Sequence, residues 1–484
     1  MIFDNFRRKL RQEAQLWREE GLIDATLYQQ LAERYQFNHL ETVARDRFVF
    51  ILIGLGSILL GLGVITFVAA NWQAWSKEVK LTLLLSLFLV TNIAGFSLWR
   101  QPVTVKYNTY NQKAARRRKN LLGHGLLIFG ALLLGANLGL LSQMFHLSGE
   151  SYELFLVWGL GVLTMAYSLR LTSLGIMSII LVIIGYFWGL GEYYSTVGEM
   201  TWARLVVQHM PLLAGVLFVP LAYLCKSRWL FGISAIASVI SLQFNLQPLT
   251  SLAHNSTVPW LTTAAFVLPP ALLWSYDDLI FPKVTDRLFQ PLARNLALVH
   301  FSVLFYILSF RWLWETPSYN PSTPENIARL NWLPWIDVAI LTSLALLQWL
   351  YLWRHFSNRR QRKLDLTTIV IGGFIIVTAA VTFVHQAISP LGVIAIFLCN
   401  VLLAMLACGL IREGLELGER RAFWGGMVLL TLQIISRMLE YNTALLFKSF
   451  VFVLCGVAVI LAGLWFERYL SALGNREWEL GTRE

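Results

Sequence analysis

Phe48–Trp75 reads FVFILIGLGSILLGLGVITFVAANWQAW, and this stretch decides the fold. As far as Ala70 it is an apolar run laced with glycine, and roughly 20 such residues in a helix cross the hydrocarbon of a bilayer. It ends in Asn71, Trp72, Gln73 and Trp75, a polar and aromatic tip of the kind that favours the headgroup level. The expectation is one transmembrane helix delivering its tip to a membrane surface.

The rest of the chain repeats the theme. Of its 484 residues 56% are hydrophobic and only 14% charged, against roughly a quarter charged in a soluble domain. Apolar runs fall near 48–70, 78–99, 121–144, 153–169, 172–191, 205–224, 229–245, 258–276, 292–314, 333–353, 365–385, 390–411, 420–440 and 447–466. The fold class is therefore all-α, a polytopic bundle of about 14 spans in seven hairpins. The expected organisation is a cytosolic helical hairpin over 1–47, the bundle over 48–466 and a cytosolic tail over 467–484.

Charge sets the expected orientation. With the N-terminus inside, only seven of the 39 Lys and Arg lie on outer segments: Lys77, Lys80, Arg204, Arg311, Arg329, Arg437 and Lys448. That asymmetry predicts both termini in the cytosol. It also accounts for the net charge of +11 without nucleic acid as a partner. Two inner loops are strongly basic, one from Arg100 to Lys119 and one carrying Arg354, Arg359, Arg360, Arg362 and Lys363. Each such residue is worth about 1 kcal/mol near an anionic leaflet, so anionic lipids are expected partners there.

The N-terminal segment reads as two short amphipathic helices, the first ending at Gly21 and the second capped by Asp24. Leu10, Trp17, Leu22, Ile23, Leu27, Leu31 and Tyr35 form a candidate seam, packed on the membrane face or on a protein partner. No cleavable signal peptide is visible, because the first apolar run begins too far into the chain and is too long. Cys225, Cys399, Cys408 and Cys455 lie in or beside apolar runs without a CxxC pair, so neither a disulfide nor a zinc site is expected.

Small residues recur at helical spacing: Ala131, Gly135 and Gly139; Ser57 and Gly61; Gly185 and Gly189. They let helix backbones approach closely in lipid. The hairpins opening near 48, 121, 365 and 420 share early glycines and polar outer tips, a pattern that raises duplication as a question.

Chemistry has two candidate locations. The outer tips carry Asn71, Trp72, Gln73, Gln143, His146, His385, Gln386, Gln433, Arg437, Glu440 and Asn442. Gln433, Arg437 and Glu440 share one helical stripe, which allows an ion pair between the last two. Polar helix ends that merely meet water give the same pattern. The midplane candidates are Asn92, Asn137, His300 and Asn400, with Gln348 also deep and Asp337 one turn into its span, where Arg311 is a candidate partner. Hydrogen bonds between helices would equally explain the amides.

Enzyme signatures are missing: there is no HExxH, GxSxG or GxxxxGK[ST]. Asp277 and Asp278 resemble half of a magnesium-binding motif, but the position for a third carboxylate is Phe281. No catalytic residue, metal ligand or cofactor is assigned.

Three segments, LAERYQF over 31–37, AANWQAW over 69–75 and LLSQMFHLSGESYELFLVWGL over 140–160, resemble bacterial membrane proteins of domain-of-unknown-function family 2157. RRAFWGGMVLLTLQIISRMLEYN over 420–442 and Glu467-Arg468 look like that family's C-terminal part, whereas 172–360 is only generically apolar. The resemblance implies a bacterial inner membrane. The first functional expectation is a carrier or flippase of an amphipathic or lipid-linked substrate. A scaffold or sensor docking a partner through the N-terminal helices and an outer-face enzyme on a lipid-linked substrate are the alternatives.

Overall fold

A computed structural model describes residues 10, 13–34, 37–70, 75–100, 110–145, 149–195, 201–249, 259–278, 287–314, 333–358 and 366–481. Among these residues there is no strand, and two compact units are distinguished, Met1–Ser195 and Thr196–Glu484. Twelve of the fourteen apolar runs each fall on one helix, 205–224 is divided between two and 292–314 continues into a 3-10 turn; eleven helices are long and apolar enough to cross a membrane by themselves.

In the first unit, residues 13–19 form a helical turn that Gly21 terminates in the left-handed region, at φ 75°. Leu22 N–H donates to Trp17 O at 2.8 Å and Gly21 N–H to Arg18 O at 3.2 Å, the paired bonds of a left-handed helix end. Asp24 then caps α1 (Ala25–Arg34), its Oδ1 accepting Leu27 N–H at 2.8 Å. Leu22 and Leu27 remain exposed, so the expected apolar seam forms only in part.

Four long helices follow: α2 (Phe37–Ala70), α3 (Lys77–Trp99), α4 (Tyr110–Met144) and α5 (Ser151–Leu169), and then α6 (Thr172–Ser195). α2 runs unbroken through the expected boundary at residue 47. The tightest partners are α3 with α4 and α5 with α6, while α2 rests on α4. Helices thus pair across the connections expected on the cytosolic side, not across the polar tips. The reason is close approach at glycine. A Cβ on Gly123 would lie 2.7 Å from Trp99 N and one on Gly159 3.1 Å from Val182 N. One on Gly185 would lie 3.1 Å from Tyr152 O. Gly135 accommodates the Trp158 indole, whose Nε1 donates to Ala131 O at 2.8 Å, so the small-residue stripe on α4 receives a ring from α5. Gly139, at the end of that stripe, meets nothing.

In the second unit the run at 205–224 is not one helix. It divides into α7 (Trp202–Gln208) and α8 (Met210–Cys225), bent by 81° at His209. Pro211 explains the break: it has no N–H for Val207 O, and its ring crowds that carbonyl. The unit continues with α9 (Arg228–Leu246), α10 (Pro259–Ser275), α11 (Gln290–Leu308), a 3-10 turn (Arg311–Leu313), α12 (Leu333–Asn358), α13 (Leu366–Ala387), α14 (Gly392–Leu417), α15 (Arg420–Glu440) and α16 (Leu445–Gly481).

α10 is the hub, packing on α11, α12 and α13. Its 17 residues include ten buried ones, with the core built on Phe266, Trp274, Phe301, Phe305 and Phe374. Pro269 and Pro270 lie inside it, so Ala265 and Phe266 each lose a helical N–H partner. Gln243 Nε2 donates to Ala265 O at 2.6 Å, and the His300 imidazole bonds the Phe266 backbone. With no water in the hydrocarbon, freed carbonyls must be answered this way by neighbouring helices. α14 and α15 pack tightly across a turn whose Gly418 is left-handed, at φ 66°. A Cβ on Gly414 would meet Phe423 N at 2.4 Å. α16 runs on without a break through residue 467 and leaves most of its apolar side chains exposed.

Candidate functional site

Asn71, Trp72, Gln73 and His146 lie outside the described residues, as do Arg329 and residues 101–109 and 359–365 of the basic loops, while the basic run over 116–119, expected in a loop, belongs to helix α4. At the same end of the first unit, Gln143 is exposed, and Lys77 Nζ reaches Met144 O, at 3.5 Å, near the C-terminus of α4. The remaining outer-tip candidates belong to the second unit.

There the carbonyl of Ser309, at the C-terminus of α11, organises a polar node. Arg437 Nη1 donates to it, and Asn400 Nδ2 approaches it at 3.4 Å while also donating to Ile396 O at 2.8 Å. Gln433 Nε2 donates to Asn400 O at 2.8 Å and to Asn400 Oδ1 at 3.2 Å. Arg437 pairs with Glu440 as their spacing predicts, and Glu440 Oε1 accepts Arg311 N–H at 2.6 Å. The structure therefore joins three outer-tip candidates, Gln433, Arg437 and Glu440, to the midplane candidate Asn400. Phe310 covers the guanidinium, its ring centroid 4.3 Å from the guanidinium carbon. His385 stands apart: its Nδ1 accepts Leu391 N–H at 3.0 Å and its ring meets Trp314 edge-on at 4.9 Å. Gln386 follows it on α13.

Asp337 has a different partner from the expected Arg311. His209 Nδ1 lies 2.6 Å from Asp337 Oδ1, and Asp337 is 3% exposed. His209 occupies the corner that Pro211 creates, and Asn245 Nδ2 answers the carbonyls of Val207 at 3.2 Å and Gln208 at 2.6 Å. Spacing could not reveal this pair, because the two residues are 128 positions apart. The signal available in the sequence was His-x-Pro inside an apolar run.

The Asp277-Asp278 pair is structural. Asp278 Oδ2 accepts the N–H groups of Phe289 and Gln290 at 2.9 Å each, the first donors of α11, and Tyr223 O–H donates to its Oδ1. Tyr276 O–H lies 2.6 Å from Tyr223 O–H. Asp277 pairs with Arg287 at 3.4 Å. A carboxylate that caps a helix in this way gains from the N-terminal dipole and has little left for a metal. Among the described residues no His, Cys, Asp and Glu group could hold a metal, and all four cysteines are free.

The other deep amides differ in role. Asn137 Nδ2 donates to Leu84 O at 3.3 Å and Leu133 O at 2.8 Å, stapling α4 to α3. Gln348 Oε1 accepts Ser275 O–H at 2.9 Å, stapling α12 to α10. Asn92 Nδ2 donates to Phe88 O at 2.8 Å, and the residue lines an open cavity of about 540 Å³ in the first unit, with Phe88, Phe96, Leu127, Thr164 and Ser168 among its other lining residues. A Cβ on Gly130 would fall 2.5 Å from Asn92 Nδ2, so the amide owes its place to that glycine.

Apolar helices of spanning length, freed carbonyls answered from neighbouring helices and exposed aliphatic faces define a multi-pass helical membrane protein. Residues 15–175, a third of the chain, match the family model described as a predicted membrane protein, DUF2157. The resemblance read from the sequence thus holds over the N-terminal part, and 420–442 falls outside that match. No curated protein and no solved structure matches.

Proposed function

We propose that this protein is a carrier for an amphipathic or lipid-linked substrate in a bacterial inner membrane, with both termini cytosolic. The observation that supports this reading is the cavity beside Asn92. It lies within the roughly 300–1,000 Å³ of small-molecule sites, and its lining is mostly Phe, Leu and Met with Asn92, Thr164 and Ser168 as the polar exceptions. An acyl or prenyl chain suits the first group and a headgroup or linkage the second. The hydroxyls of Thr164 and Ser168 already bond Leu160 O and Thr164 O, so they offer lone pairs to a ligand more readily than donors.

The basic inner loops would then hold anionic lipids, and the N-terminal helices, with Leu22 and Leu27 exposed, would be the place for a protein partner. The test is lipid transfer in proteoliposomes carrying NBD-labelled phosphatidylglycerol or NBD-labelled short-chain polyprenyl phosphate, read by dithionite quenching. The wild type transfers one of these probes across the bilayer, and Gly161→Leu slows it about tenfold by filling the cavity. The Cβ at Gly161 would meet only the end of Leu134, at 2.8 Å, so the variant should still fold. Rates equal to protein-free liposomes for both probes would remove the reading.

A further inference from the structure

Several buried polar atoms of the second unit lack a hydrogen-bond partner among the described residues, and the largest group of them lies in one place. Gln433 Oε1, Arg437 Nε and Nη2, Glu440 Oε2 and Thr443 Oγ1 are shut from solvent without a hydrogen-bond partner among the described residues, and Glu440 Oε2 has its ion pair with Arg437 Nη1. All belong to the last turns of α15 or the turn that follows it. Buried polar atoms are nearly always satisfied, and a cluster of unsatisfied ones calls for a missing water, ion or ligand.

The atoms left over have a specific chemistry. Arg437 is 8% exposed, and its Nη1 is committed to Ser309 O and Glu440. What remains, Nε with Nη2, is the side-on edge of the guanidinium, which takes two oxygens of one anion at once. Gln433 lies one turn back on the same face of α15. Thr443 offers a third donor, and Gln433 Oε1 accepts. The Arg437–Glu440 pair is neutral by itself, and the backbone N–H of Arg311 on the adjoining 3-10 turn holds Glu440 Oε1 in place.

We propose that Arg437, Gln433 and Thr443 form a binding site for a phosphate group, held by the free Nε–Nη2 edge of Arg437. Two phosphate oxygens meet that edge and a third meets the Thr443 hydroxyl. A protonated oxygen or neighbouring hydroxyl of the ligand donates to Gln433 Oε1. Three donors and one acceptor suit a tetrahedral group with four oxygens better than a carboxylate with two. The same chemistry is presented by free inorganic phosphate and by a lipid headgroup. The site belongs to the second unit and does not depend on the cavity reading of the first.

The experiment is a thermal-shift titration of the full-length protein in nonionic detergent, with inorganic phosphate in one arm and phosphatidylglycerol mixed into the micelles in the other. The proposal expects a saturable rise in Tm in at least one arm. A rise with phosphate identifies a free anion site; a rise with phosphatidylglycerol alone identifies a headgroup site. Arg437→Lys keeps the charge but loses the fork and should weaken the midpoint about tenfold. Arg412→Lys, at an exposed pair with Glu416, should leave it unchanged. Thr443→Val, which breaks no hydrogen bond to Ser309 or Glu440, should weaken it several-fold and serves if Arg437→Lys does not fold. The proposal is overturned if neither probe shifts the wild type, or if the folded variants at 437 and 443 titrate like the wild type.

Discussion

The two units solve the same problem, holding helices together in lipid, by different means. In Met1–Ser195 the contacts are steric: backbone meets backbone at Gly123, Gly159 and Gly185, and few polar side chains are needed. In Thr196–Glu484 prolines break the helical ladder, and side chains from other helices repair it. Asn245 answers Val207 and Gln208, Gln243 answers Ala265, and His300 answers Phe266. The first strategy leaves a helix cluster with room for a cavity. The second builds a unit whose polar groups are mutually dependent, so that a group without a partner, such as Arg437 Nε, stands out.

That contrast can be broken by substitution. The largest expected effect is at the bend of the second unit, where His209→Leu leaves the buried Asp337 carboxylate without its partner. A loss of about 3 kcal/mol is expected, read as denaturant unfolding in micelles; an unchanged midpoint would show that the pair is dispensable. In the first unit Gly123→Ala should cost about 2 kcal/mol, because its Cβ would press on backbone rather than on a pliable side chain. The control is Gly139→Ala, with nothing nearby, which should be close to neutral.

A smaller effect, about 1 kcal/mol, is expected from Asn245→Leu, which orphans two carbonyls in an apolar surrounding. Faster amide exchange at the α7–α8 bend would report it, while exchange in the first unit stays as in the wild type. The smallest effect concerns Asp24, outside the spans. The Thr26 hydroxyl and the Leu27 N–H hold its carboxyl below the ordinary value of 3.8. A lowered folded value stabilises the cap above pH 3.8, and that contribution is lost as pH falls through the folded value. Protection of the Leu27 amide should fall over that range in the wild type and stay flat in Asp24→Asn.

The sequence carried the helices well and their partners poorly. Length and hydropathy place helices because crossing a bilayer demands them, and twelve of the fourteen apolar runs are each a single helix. Glycine spacing foretold close packing, but not that α2 would rest on α4 or that the tight pairs would be α3 with α4 and α5 with α6. The bend at His209 was missed because hydropathy is blind to a missing N–H, although Pro211 stands in plain view. At the candidate sites, spacing within one helix sufficed for Arg437 with Glu440. The partners from other helices, Ser309, Asn400 and His209, depend on tertiary packing that no local pattern encodes. The same limit made Asp277-Asp278 look like half a metal motif when it is a helix cap and an ion pair with Arg287.

The central claim, that the first unit accommodates an amphipathic ligand beside Asn92, is tested most directly by photocrosslinking. Benzoylphenylalanine at position 92 and at Ile93, which is 67% exposed, would be irradiated in native membranes and the adducts identified by mass spectrometry. The account predicts that position 92 captures one amphiphile far above its share of the bulk lipid, while position 93 captures lipids in bulk proportion. Adducts at 92 that mirror those at 93, or that join only protein to protein, would contradict it.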